Sequence, residues 1–151
     1  MENTLKNNKR KFDYNNYKEW DNVAKLAVRS FLESLGCELF PDVESYDADI
    51  MVVQPIKSYH EVEVKLGWKE EWPSSWKTVH IPYRKKRLID MMKNKDELTF
   101  YILRKDLKQA WTIKGSECKN EVVAEVPNKF KAKGELFFNI PIKNATLINL
   151  R

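Results

Sequence analysis

Cysteine is almost missing from this chain: its 151 residues hold two, Cys37 and Cys118, far apart and without the spacing of metal ligands. Neither a disulfide framework nor a zinc centre is suggested, and a reduced intracellular setting fits best. Long hydrophobic runs are missing as well. None approaches the roughly 18 apolar residues of a membrane-crossing helix, and the polar start lacks the apolar stretch of a signal peptide. The expectation is a cytoplasmic protein that neither spans a membrane nor is exported by that route. Internal repeats and low-complexity tracts are also lacking.

What is present suits one domain. The length allows one real core, and hydrophobic residues at 42%, with aromatics at 12%, supply the material for it. Lys and Arg number 27 against 22 Asp and Glu, a net charge of +5. That modest basic excess permits nucleic-acid binding without demonstrating it.

Residues 1–16 are polar, rich in Asn and Lys, and read as a flexible basic arm. Over residues 17–35, apolar side chains at Trp20, Val23, Ala24, Ala27, Val28, Phe31, Leu32 and Leu35 recur every three or four positions. This predicts a helix with one core face, closed by Gly36. A short strand is expected over 37–40, a stronger one over 49–54, a turn over 55–58 and an alternating strand over 59–66. Residues 67–78, with Trp68, Trp72 and Trp76 around Pro73-Ser-Ser75, read as a loop with a mobile tip. A basic helix is expected over 84–94, with Leu88, Ile89 and Met92 turned inward. Arg84, Lys85, Lys86 and Arg87 crowd its first turn against the helix dipole, a cost that a bound anion would offset. A second hairpin over 98–113 and β segments over 122–126, 136–140 and 146–150 follow. The order of helix, strands, helix, strands predicts an α+β or mixed three-layer fold.

One constellation carries chemistry. Hydrolysing a phosphodiester needs an activated water and shielding of the charge that builds on phosphorus-bound oxygens. Two carboxylates holding Mg²⁺, with a lysine beside them, supply both. With the hairpin turn centred near Ile56 or Lys57, Asp49 is expected opposite Glu63 or Lys65. Parity then puts Asp47, Asp49, Glu63 and Lys65 on one sheet face, with Val62, Val64 and Leu66 toward the core. A metal is the functional explanation of that face; a salt bridge of Lys65 with Asp47 or Glu63 is the structural one. The acid-x-lysine pattern occurs three times, as Glu63-Val-Lys65, Asp106-Leu-Lys108 and Glu117-Cys-Lys119. Only the first lies on an apolar strand that follows an acid-led strand.

Tyr46-Asp-Ala-Asp-Ile-Met-Val-Val53, followed by His60-Glu-Val-Glu-Val-Lys-Leu-Gly-Trp68, resembles the core of PD-(D/E)xK nucleases. The superfamily includes many restriction enzymes, recombination exonucleases and junction resolvases. The resemblance covers roughly residues 17 to 115 in order of elements. It implies Asp49 and Glu63 as metal ligands, the Val64 carbonyl as a further metal contact, and Lys65 as catalytic lysine. The implied cofactor is Mg²⁺ or Mn²⁺. The implied activity is hydrolysis of phosphodiester bonds in DNA, as an endonuclease, with RNA left open as a partner. The implied fold is a restriction-endonuclease-like core, three-layer α/β/α in kind, with a mixed central sheet flanked by helices. Residues 17–151 would form this single nuclease-like domain, as a core over 17–115 and a C-terminal β extension over 116–151. Lys65-Leu-Gly-Trp68 and Arg84-Lys-Lys-Arg-Leu-Ile89 are also similar to phage junction-resolving endonucleases. No proline precedes Asp49, and Asp47 competes for its role.

Arg84, Lys85, Arg87 and Lys77 are the expected phosphate contacts. Glu19 and Asp21 are available as first-helix acids but read as solvated helix residues. His60 and His80 read as strand or loop histidines, and Trp72 and Trp76 are open between packing and stacking on unpaired bases. The alternative function is a non-catalytic nucleic-acid-binding module of the same fold within a larger complex. A homodimer is plausible because duplex cleavage takes two active sites.

Overall fold

The computed structural model describes residues 14–41, 48–66, 68–126 and 135–150. Most of the expected basic arm, Asp47 with its acidic loop, Gly67 and residues 127–134 lie outside the described residues. Helix α1 spans Tyr14–Ser34 and so begins within the segment read as an arm. Its buried line is Ala24, Val28 and Leu32, every fourth residue, whereas Val23 at 39% and Leu35 at 63% exposure flank the core rather than enter it. The helix closes as predicted from Gly36. At φ +89° the glycine takes a left-handed conformation that costs other residues strain. The Gly36 amide donates to the Glu33 carbonyl and the Cys37 amide to the Leu32 carbonyl, satisfying two last-turn acceptors.

Nine strands follow among the described residues: β1 Glu38–Leu39, β2 Ile50–Gln54, β3 Ser58–Lys65, β4 Thr78–Pro82, β5 Leu98–Arg104, β6 Gln109–Lys114, β7 Val123–Val126, β8 Glu135–Pro141 and β9 Thr146–Asn149. Six make one mixed sheet in the order β1-β2-β3-β5-β6-β9, and three make a second in the order β4-β8-β7. Within the large sheet β3 and β5 run parallel, and the chain between them passes through β4 and the short helix α2, Lys86–Met91. All but the last residue of β5 are buried, as a strand covered on both faces must be.

One face of the large sheet, with Ile50, Val52, Val62, Val64, Tyr101 and Leu103, packs on α1. The other, with Leu98, Phe100, Ile102 and Ile113, packs on Val79, Ile81, Phe138 and Ile140 of the second sheet and on Leu88 and Ile89 of α2. The protein is therefore mixed α+β with a mixed sheet, and its third layer is mostly sheet. The expected basic helix over 84–94 shrinks to six residues, because a 3₁₀ turn takes Tyr83–Lys85 and the chain turns extended at Met92. The C-terminal segments are woven into both sheets: β8 pairs with β4, and β9 with β6. No helix among the described residues is long and apolar enough to cross a membrane.

Ile102, 1% exposed, stands between the two sheets on β5. Ile102→Ala should destabilise the fold by about 2–5 kcal/mol, read as a lower urea midpoint with unchanged slope.

Candidate active site

The β2–β3 hairpin pairs Ile50 with His60, Met51 with Tyr59 and Val52 with Ser58, so it turns about Pro55. The expected turn centre at Ile56 or Lys57 is corrected by one to two residues. Asp49 consequently stands beside Glu61, not opposite Glu63 or Lys65. Two short hydrogen bonds fix it there. The Asp49 amide donates to Glu61 Oε2 at 2.6 Å, and the Val62 amide donates to Asp49 Oδ2 at 2.8 Å. A carboxylate thus takes over the edge of β3 where β2 ends.

Strand alternation carries Glu61, Glu63 and Lys65 onto the face turned away from α1, while Val62 and Val64 are buried against α1, as expected. The Val64 carbonyl points to the same edge as the Val62 amide, beyond the last β2–β3 pair.

Each of the three carboxylates has a lysine. Lys25 Nζ, from α1, lies 3.3 Å from Asp49 Oδ1 and 3.0 Å from Asp21 Oδ2. Lys85 Nζ, from the 3₁₀ turn after β4, donates to Glu61 Oε1 at 2.6 Å. Lys65 Nζ lies 3.6 Å from Glu63 Oε1, the salt bridge weighed from sequence as the structural explanation. Asp21 thereby reaches the edge of the site through Lys25, while Asp47 lies outside the described residues.

Burial sets the electrostatics. The Glu61 side chain is 4% exposed, and this burial, with the charge of Asp49, raises its carboxyl above the ordinary range against the pull of Lys85. Burial works against the charge of Lys25 as well, but Asp49 and Asp21 outweigh it and hold its ammonium above the usual value. His80 is lowered by burial and by the charge of Lys65, which brings it into the field of the site.

Glu61 and Glu63 open onto a cleft lined also by Pro82, Arg84, Lys85 and Ile102. Arg84 also meets Glu135 at 3.4 Å, and Arg87 is exposed on α2. Lys77 sits at the other end of β4, a strand of roughly 15 Å, and so stands apart from this cluster. The Trp loop packs on itself: Trp76 meets Trp68 at 5.7 Å and Trp72 at 5.4 Å, and Trp72 is hydrogen-bonded to Gln109.

Glu61 is the site residue that sequence reasoning missed. Its signal was present, since it shares parity with Glu63 and Lys65, but the assumed turn centre placed Asp49 further along β3.

Among the described residues, no three of His, Cys, Asp and Glu converge as a metal-holding group. Asp49 and Glu61 nevertheless form an oxygen-only pair whose mutual repulsion an added cation relieves. One or two carboxylates with water is the usual protein share for Mg²⁺, so the pair fits such an ion. No family model matches the sequence, and no curated protein or solved structure matches the chain.

His60 faces the α1 side of β3, with Nδ1 2.9 Å from the Tyr101 hydroxyl and Nε2 2.8 Å from the Ser58 hydroxyl. Burial, then Lys114, pushes its pKa down to about 4. The unfolded chain therefore binds its proton first, so stability from His60 is whole above pH 6.5 and lost as pH falls toward 4, by up to about 3 kcal/mol. Glu61, raised by burial, acts with the opposite sign, so wild type is compared with His60→Gln. The stability difference between the two proteins should shrink as pH falls from 6.5 to 4 in urea titrations; a constant difference would remove this account.

Proposed function

We propose that the protein is a Mg²⁺- or Mn²⁺-dependent nuclease that hydrolyses DNA, with Asp49, just before β2, and Glu61, Glu63 and Lys65 on one face of β3 as its centre. The observation that carries this reading is the Asp49–Glu61 pair fastened at a partly open strand edge, with Glu61 and Glu63 lining a cleft that has Arg84 and Lys85 on its wall. The order of α1, the acid-bearing hairpin and a parallel return strand agrees with the restriction-endonuclease-like core that the resemblance to PD-(D/E)xK nucleases implies.

Asp49 and Glu61 would hold the cation, with the Val64 carbonyl turned to the same edge. A divalent ion there supplies Lewis acidity at the scissile phosphate and makes water a stronger nucleophile. Lys65 orients the attacking water or offsets charge in the transition state, and Glu63, 3.6 Å away, sets the direction of its ammonium. Arg84 and Lys85 hold the phosphate backbone, with Arg87 further along on α2.

A non-catalytic nucleic-acid-binding module is the second reading. It is favoured by the balance of the face, where three carboxylates meet three lysines without any metal. Binding would then persist in EDTA and fall steeply with salt.

A panel of linear, circular, single-stranded and branched DNA decides between them. The nuclease should cut at least one form only with Mg²⁺ or Mn²⁺. Lys65→Ala should lower the rate by about 10²-fold or more with an unchanged circular-dichroism spectrum. Undiminished cutting by that variant refutes the assignment of Lys65; binding without cutting selects the second reading.

A further inference from the structure

Glu61 is the most enclosed acid of the site, and Lys85 comes to it from another layer of the fold. The Glu61 side chain is 4% exposed and that of Lys85 29%, so the lysine stands on the wall of the cleft with its ammonium directed inward. Glu61 Oε2 is held by the Asp49 amide at 2.6 Å and Oε1 by Lys85, also at 2.6 Å. Lys25 differs, because α1 places it between two acids, Asp21 and Asp49, and keeps it on the far side of the pair. The two lysines therefore stand on different footings. One is anchored between two carboxylates, and the other reaches across from a short turn beside Arg84.

We infer that Lys85 is an exchangeable counter-ion of the Asp49–Glu61 pair: a divalent cation takes its place on Glu61 Oε1, and the displaced ammonium turns to a phosphate of the nucleic acid in the cleft. The inference rests on the metal-dependent reading above and adds that occupancy of Glu61 by the cation is coupled to phosphate binding. Charge drives the exchange, since Asp21, Asp49 and Glu61 carry three negative charges against Lys25 and Lys85, and a dication in place of Lys85 balances all three. No covalent bond is made or broken: the Lys85–Glu61 ion pair is exchanged for a cation–carboxylate contact and a lysine–phosphate ion pair. A site held closed by an internal cation binds metal more weakly by the fraction of time it is open, so removing the cation tightens binding. The released lysine in turn adds one phosphate contact, so metal and nucleic acid strengthen each other's binding.

The test is Mn²⁺ titration by calorimetry on the full chain, for wild type, Lys85→Met and Glu61→Gln. Lys85→Met should bind Mn²⁺ roughly three- to tenfold more tightly than wild type. It should also melt lower in EDTA and gain more in melting temperature from Mn²⁺, because Glu61 is left buried without its partner. Glu61→Gln, which removes the charge at nearly constant shape, should weaken Mn²⁺ binding about tenfold or more. Should Lys85→Met fail to fold, Glu61→Gln decides alone: unchanged Mn²⁺ affinity in it overturns the inference. So does equal or weaker Mn²⁺ affinity in a folded Lys85→Met.

Failure of the broader reading looks different. Metal-dependent cutting with neither shift leaves the nuclease standing and removes the counter-ion. Both shifts without any cutting do the reverse, and a wild type that binds no Mn²⁺ overturns both.

Discussion

The arrangement of the site depends on one exchange of hydrogen bonds at the end of a strand. Strand β2 begins only at Ile50, and the edge of β3 past that residue's partner would be left with backbone donors to satisfy. Asp49 supplies the acceptor for Val62, while its own amide is taken by Glu61. The two acids are thus fastened side by side, although their charges repel, because each has a backbone donor as well as a lysine. A slip of one residue in this register would turn Val62 and Val64 outward and the acids toward α1. The same bonds that extend the hairpin also decide which face carries charge.

That face is then closed from two directions. Helix α1 packs on the valines and sends Lys25 around the end of β2, whereas the β4–α2 crossover covers the opposite face and delivers Lys85. The crossover exists because β3 and β5 are parallel and need a long connection. The second sheet gives that connection a core of its own, with Val79 and Ile81 against Phe138 and Ile140. Residues far along the chain therefore hold the lysine that sits on Glu61.

How far this was legible from sequence varies with the range of the interaction. The helix read from Ala24, Val28 and Leu32 and stopped at Gly36 is local, and so is the alternation of Val62 and Val64 with charged neighbours. Strand β4 was not recognised at all, since Thr78–Pro82 is short, ends in proline, and owes its conformation to β8, about sixty residues later. Glu61 was missed for a smaller reason. The hairpin turns at Pro55 rather than at the next one or two residues, and that shift is enough to exchange Glu61 for Glu63 as the neighbour of Asp49. The face was legible, but the partner on it was not.

Stability alone gives a poor account of why Glu61 and Lys85 are where they are. An enclosed ion pair repays the loss of water from both charges only in part, and apolar side chains of similar volume are often as stable or more so. Phe100 and Ile102 already line this region, so apolar residues at 61 and 85 would extend an existing core rather than disturb it. Burial and the charge of Asp49 beside it also raise the cost of ionised Glu61, as the upward displacement of the Glu61 carboxyl records. A residue that burdens its neighbour, and is then neutralised by a lysine from another layer, is what the proposed cation exchange at the cleft would call for. The pairing of one lysine with each acid lets the chain fold without a metal, and it leaves the most buried carboxylate matched to a cation that stands at the cleft wall.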